Sequence, residues 1–470
     1  LTEFTMTIDG SAATPEAYFD VVDPATARVL AQAPDCTPRQ LDAAMAAAAG
    51  AQPAWSRDER GRRHALNEAA AVIEAHAGRL AALVTAEQGK PLAQARDEVM
   101  ASAVWLRHYA QMELPHEIVQ DDDEGYAEIV ARPLGVVAAI APWNFPVVLA
   151  VWKIAPALLA GNTVVLKPSP YTPLATLHLG ELLRTCLPAG VLNVISGRDP
   201  LGASMTAHPV PRKISFTGST ATGRRVAVAA AGDLKRVTLE LGGNDPAIVL
   251  PDAEPEEFAA SLVRSAFVNS GQVCFAVKRI YVPAERHDAW VQALTVHAAA
   301  LRVGAGHDDQ VEMGPLSNRA QLDRVTALVD DARARGALVA TGGAPLAGEG
   351  YFYAPTVLAG AADGMPVVDE EQFGPVLPVV AYRNPGDAVA AANASAYGLT
   401  ASVWSPDTDR AAGLARSLDC GQVSLNAHGA GVRPDLPFGG SKASGIGREN
   451  GRWGLEEFTQ LQVFTRPPKA

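Results

Sequence analysis

Lys213-Ile214-Ser215-Phe216-Thr217-Gly218-Ser219-Thr220-Ala221-Thr222-Gly223 runs from a short apolar segment through a glycine into a stretch that opens a helix. A junction of this kind leaves backbone N–H groups unpaired at the helix start, and together with the helix dipole they favour a phosphate. The spacing departs from G-x-G-x-x-G because Thr220 stands at the middle glycine, so a plain glycine turn remains an equal reading of this stretch alone.

The same alternation extends to both sides. Val136-Val137-Ala138-Ala139-Ile140 precedes Pro142, and Thr163-Val164-Val165-Leu166 follows a helix ending at Gly161. Val191-Leu192-Asn193-Val194-Ile195 ends at Gly197, and Arg236-Val237-Thr238-Leu239 ends at Gly242. Continuous apolar strands alternating with helices indicate an α/β fold with a parallel sheet covered on both faces, an architecture that binds nucleotides. Upstream, Thr37-Pro38-Arg39-Gln40 has a capping hydroxyl, a proline at the first helical position and a glutamine that closes a capping box. Further helix is expected over 59–88 and 91–111. A second strand-helix series spans 246–442, with Gly- and Pro-rich joins near 342–350 and 434–447, and is the candidate catalytic domain. Asp121-Asp122-Asp123-Glu124-Gly125 turns into an exposed strand. The closing segment 455–466 ends in another strand without a local partner, and the two isolated strands point to pairing between subunits. Residues 1–5, ahead of Met6, are set aside from the fold.

With 470 residues the chain exceeds what one core supports, and two domains are expected. The excess of 51 acidic over 39 basic residues, with no basic run, argues against nucleic acid or an anionic membrane and for a small-molecule substrate. No apolar stretch reaches the ~18 residues of a membrane span, and no basic-then-apolar leader is visible. Cys36, Cys186, Cys274 and Cys420 form no C-x-x-C pair, which fits a reduced, cytoplasmic protein without a structural metal.

Chemistry concentrates in Leu239-Glu240-Leu241-Gly242-Gly243 and Asn269-Ser270-Gly271-Gln272-Val273-Cys274. A thiol adds to an electrophilic carbonyl, and a carboxylate nearby activates the water that releases the adduct. A buried free cysteine is the commoner fate; Gly271 and the polar Asn269, Ser270 and Gln272 set Cys274 apart from the other three. Glu240 reads either as a salt-bridged strand end or as a cleft carboxylate whose pKa burial raises. In Pro142-Trp143-Asn144-Phe145-Pro146 an amide donor follows an apolar strand. Asn144 either caps backbone or serves as an oxyanion donor, a role worth roughly 3–4 kcal/mol of barrier.

These stretches resemble the aldehyde dehydrogenase superfamily over about residues 20–464. The matches are Pro142 to Pro146, Lys167-Pro168-Ser169, Phe216 to Gly223, Glu240 to Gly243, Gly271 to Cys274, Glu371-Gln372-Phe373-Gly374-Pro375 and Pro437-Phe438-Gly439-Gly440 with Lys442, Ser444 and Gly445. The resemblance implies a Rossmann-like cofactor domain (1–113 and 135–242), an α/β catalytic domain (243–442), and an oligomerisation arm with the C-terminal segment (114–134 and 443–470) that makes dimers or tetramers. It implies Cys274 as nucleophile, Asn144 with the Cys274 N–H as oxyanion hole and Glu240 as base for deacylation. Lys167 resembles the residue bonding the adenine ribose, Glu371 the one holding the nicotinamide ribose, and Phe373 its packing partner. Ile140, Trp143, Ser169, Gly218, Ser219 and Gly223 match cofactor-lining positions.

The implied reaction is oxidation of an aldehyde to a carboxylate with NAD or NADP through a cysteine thiohemiacetal and thioester, with no metal. Relatives that prefer NAD commonly carry glutamate where Pro170 stands; with Arg198 near the same ribose, NADP is expected to be tolerated or preferred. Asn244 replaces a common lysine, without a functional account. The substrate mouth maps to Phe145, Val148, Leu149, Trp152, Val273, Phe275, His428 and Phe438, an apolar set that favours an uncharged aliphatic or aromatic aldehyde. Rival readings are a CoA-acylating enzyme, which usually lacks the base that Glu240 supplies, a silent structural protein of this fold, and a thiol esterase.

Overall fold

A computed structural model describes residues 3–468. Two sheets carry the molecule. In the first, five parallel strands lie in the order Leu192–Val194, Thr163–Lys167, Val136–Ile140, Lys213–Thr217 and Arg236–Glu240. Val137, Ala138 and Ala139 are fully buried, as the unbroken apolar runs require of a sheet with helices on both faces. Met6–Ile8 and Ser11–Ala13 extend one edge antiparallel, and Phe4, among the residues set aside ahead of Met6, is buried in the same core; Leu1 and Thr2 lie outside the described residues. Gly445–Ile446 closes the other edge against Leu239 and Glu240.

The second sheet has seven strands, in the order Leu338–Thr341, Thr356–Ala361, Val376–Tyr382, Arg279–Pro283, Pro246–Val249, Thr400–Trp404 and Gln422–Leu425. All are parallel except the first, and two apolar clusters cover its faces.

Helix Pro38–Arg57 begins with the capping box read from the sequence, Thr37 Oγ1 accepting from Gln40 N and Gln40 Oε1 from Thr37 N. The helix expected over 59–88 is broken at His76 into Glu59–Ala75 and Ala77–Gln88, bent by 70°. No Gly or Pro stands at His76; the second piece turns so that Leu80, Ala81 and Val84 bury. The two strands expected to await another subunit pair instead within the chain. Thr459–Arg466 runs antiparallel along Tyr126 to Pro133 of the strand Gly125–Pro133, which also pairs with His116–Asp122. Thr459–Arg466 is an edge strand of that sheet. Among the described residues no single helix is long and apolar enough to cross a membrane.

Candidate active site

The registers of the first sheet bring Lys167, Ile140, Phe216 and Leu239 level near its carboxyl end, with the paired Thr217 and Glu240 one residue beyond. Of the parallel strands the chain lays down Val136–Ile140 first and then builds outward to both sides, so strand order reverses between it and Lys213–Thr217, where open α/β sheets form their ligand crevice. The loops leaving these two strands meet there. Trp143, Asn144, Gly218, Ser219, Cys274, Glu371 and Phe373, drawn from four stretches, line one cleft of about 430 Å³.

On one wall, Ser219 caps helix Thr220–Ala231, its Oγ accepting from Thr222 N. Ser219, Thr220 and Ala221 line the cleft, and their N–H groups have no partner among the described residues, an arrangement suited to an anion. Gly218 has to be glycine, since a Cβ would lie 2.5 Å from the Phe216 ring. Gly223 differs from its reading as a cofactor contact: its N–H is taken by Ser219 O and its bare Cα admits the Leu241 side chain. Glu371 accepts from Gly243 N at 3.1 Å, and burial pushes its carboxyl up to about 7. Phe373 meets the Trp143 ring edge-on at 5.2 Å.

Opposite stands the thiol. After helix Pro255–Phe267, Asn269, Ser270 and Gly271 adopt φ of 49°, 58° and 72° in succession, a tight left-handed turn that delivers Cys274 to the cleft. The polar neighbours do not surround the thiol; they anchor the turn. Asn269 Nδ2 donates to Asn144 O at 3.0 Å, Ser270 Oγ to Gly314 O at 2.8 Å, and Gln272 Nε2 to Asn269 O at 3.0 Å. Asn144 is buried, and its Nδ2 donates one hydrogen to Gln272 O at 3.0 Å. Its backbone is clamped by Lys90 Nζ, 2.7 Å from Asn144 O and 3.7 Å above the Phe145 ring. Burial, reinforced by Glu371, Glu240 and Asp245, pushes the Cys274 thiol up, and Lys278 opposes the shift.

Glu240 is 3% exposed, and neither carboxylate oxygen has a hydrogen-bond partner among the described residues. It lies against Gly439, where a Cβ would come within 2.7 Å of Oε1. Burial foremost and Glu449 next raise its pKa well above the carboxylate range, against Lys153 and Arg448. Lys153, the lone charge in the apolar helix Val148–Leu159, pairs with Glu449 at 2.6 Å; that lone lysine is the signal by which sequence reading could have found this pair.

Of the mouth residues, Trp152 meets Phe438 at 5.4 Å and Phe275 meets Phe438 at 5.9 Å. Val148, Leu149 and Val273 are buried around them. His428 is held apart in a polar cluster, its ring nitrogens 2.8 Å from Ser402 Oγ and 3.3 Å from Thr400 Oγ1. Ile140, Lys167 and Ser169 are buried and do not line this cleft. Among the described residues Lys167 Nζ reaches only Pro168 O, at 3.2 Å, and burial lowers its pKa to about 8. A second cleft of about 730 Å³ takes in Pro170 and Arg198. Asn244 gains a structural account: its Nδ2 donates to Val368 O at 2.7 Å, tying the Gly243 turn to the segment that carries Glu371.

The sequence profile of the aldehyde dehydrogenase family matches residues 11–464. A phenylacetaldehyde dehydrogenase of Pseudomonas fluorescens is 40% identical over 94% of this chain and 91% of its own. The NAD+ complex of an aldehyde dehydrogenase from Bacillus cereus superposes with a TM-score of 0.97 at 35% identity, covering 100% of this chain and 97% of that one. An NADP-dependent enzyme of E. coli superposes at 0.95 with 35% identity, over 98% of each chain.

Proposed function

The chain belongs to the aldehyde dehydrogenase family and oxidises aldehydes with NAD or NADP, and from that premise we propose that the reaction passes through a covalent adduct on Cys274. The deprotonated Sγ adds to the carbonyl carbon and forms a thiohemiacetal. Its oxyanion is met by the second Nδ2 hydrogen of Asn144 and by the Cys274 N–H, which has no partner among the described residues. When bound, NAD or NADP supplies the hydride acceptor that leaves a thioester on the sulfur. Glu240 takes a proton from the water that attacks this thioester, and the carboxylate product departs as the thiol is restored. The cleft that joins Cys274 and Asn144 to Glu371, Phe373 and the open helix start carries this reading. Pre-steady-state absorbance of NAD(P)H tests it: Glu240→Gln should give a burst of about one equivalent and then stall, and a variant that turns over at the parental rate refutes the assignment.

The first sheet with its helices serves the cofactor, with Lys167 and Ser169 toward the adenosine end, and the second sheet carries the nucleophile. Pro170 cannot repel a 2′-phosphate, and Arg198, which lines the second cleft, has no ion pair among the described residues, so NADP is tolerated or preferred. A discrimination against NADP above about 100-fold, or 2.7 kcal/mol, excludes this. The substrate is an uncharged aliphatic or aromatic aldehyde, since Trp152, Phe275 and Phe438 form an aromatic wall and the nearby Arg433 is engaged by Asp435 at 2.6 Å. A kcat/KM for succinic semialdehyde above those for benzaldehyde and hexanal overturns the assignment. The arm mediates self-association, and the four free cysteines suit a reducing cytoplasm.

A further inference from the structure

Lys278 stands four residues after Cys274, ahead of the strand Arg279–Pro283, and is 1% exposed. Its Nζ donates to Gly271 O at 3.0 Å and to Val273 O at 2.5 Å. No carboxylate lies within ion-pair distance of it among the described residues, although Lys90 and Lys153, equally buried, each have one. A buried ammonium without a countercharge is costly. The peptide joining Val273 to Cys274 is trans, so fixing its carbonyl on Lys278 turns the Cys274 N–H the opposite way. That N–H has no partner among the described residues.

We propose that Lys278 is a positioning residue for Cys274, holding the Val273 carbonyl so that the Cys274 N–H faces the reacting carbonyl oxygen and supplying the buried cation against which the thiolate forms. This rests on Cys274 being the nucleophile. The titratable groups facing the thiol are Glu371 from the second domain's 370–374 segment, Glu240 from the end of its strand and Asp245 beyond the Gly243 turn, with His428 Nε2 3.9 Å from Asp245. All three acids oppose ionisation of the sulfur, and Lys278 favours it. Burial lowers the pKa of Lys278, Glu371 and Asp245 oppose that from beyond ion-pair distance, and the thiolate adds a further countercharge. A purely structural clamp would need two N–H donors but no charge, and that difference is measurable.

The test is the pH dependence of Cys274 alkylation by iodoacetamide in the cofactor-free enzyme, read on the Cys274 peptide by mass spectrometry because Cys36, Cys186 and Cys420 are also free. Lys278→Gln keeps two donors without the charge; at pH 7.5 its Cys274 should react about tenfold more slowly, with the midpoint about one pH unit higher. Lys278→Arg, which keeps the charge, should stay within about threefold of the parent. Lys278→Met should show the same alkylation shift and also lose about 100-fold in kcat as the N–H is freed. Parental alkylation profiles in Lys278→Gln and Lys278→Met overturn the proposal. If Lys278→Met does not fold, the Gln and Arg variants decide it. Failure of the underlying reading is separate, because it would appear as turnover surviving Cys274→Ala.

Discussion

At φ of 49° and 58°, Asn269 and Ser270 occupy backbone space that costs a non-glycine residue about 1–3 kcal/mol each. Their side-chain bonds to Asn144 O and Gly314 O offset the strain and aim Cys274 at the cleft. Cys274→Ala should abolish dehydrogenation, measured as NAD(P)H formation. Asn144→Ala should lower kcat by about 10²- to 10³-fold, with the Cys274 alkylation rate unchanged. In the proposed reaction the working form of Glu240 is the carboxylate; burial raises its pKa, and single-turnover deacylation should therefore rise with pH well above the usual carboxylate range. Glu240→Gln should abolish that slope. The meeting of Cys274 and Asn144 in one cleft was legible through the motifs that carry the family resemblance, since the residues alone left a capping role open for Asn144 and a salt-bridged one for Glu240. The left-handed turn was not legible, since nothing in Asn269-Ser270 distinguishes anchors from groups that solvate a thiol until Asn144 and Gly314 are beside them.

Among the elements, helix Leu174–Leu183 shows how a buried acid is used for order. Glu87 accepts from Leu174 N at 2.6 Å and Ala175 N at 2.8 Å and so satisfies the helix start from another helix. Burial pushes its carboxyl up to about 8 against those two bonds. The folded state thus binds this proton more tightly than the unfolded chain; the contribution to stability is full below the ordinary carboxylate pKa and lost as pH rises through about 8. Urea midpoints at pH 5 and pH 8.5 should differ less in Glu87→Gln than in the parent, while the variant gives up about 1 kcal/mol where one N–H loses its acceptor. Strands and caps such as Thr37 with Gln40 were legible because period and capping are local properties. The break at His76 was not, since the bend follows from where Leu80 and Val84 find neighbours, and Gly78 two residues on is by itself no stop signal.

For the whole molecule, the outer strand Thr459–Arg466 leaves Leu461, Val463 and Phe464 exposed at 69%, 63% and 50%, a surface that monomers seldom leave open. Leu461→Asp with Val463→Asp should shift size-exclusion elution toward the monomer while far-UV circular dichroism stays parental. The exposed strand was readable from its alternation, but its in-chain partner 330 residues earlier was not, because pairing at such separation leaves no local trace. The same long reach has a consequence for synthesis. Leu241 N bonds Ser444 O, and Gly445–Ile446 covers the edge of Arg236–Glu240, so a nascent polypeptide must carry that uncovered edge for some two hundred residues of translation. A ribosome stalled before residue 441 should hold a chain that chaperones retain and proteases cut, because the strand that closes the sheet is still unmade.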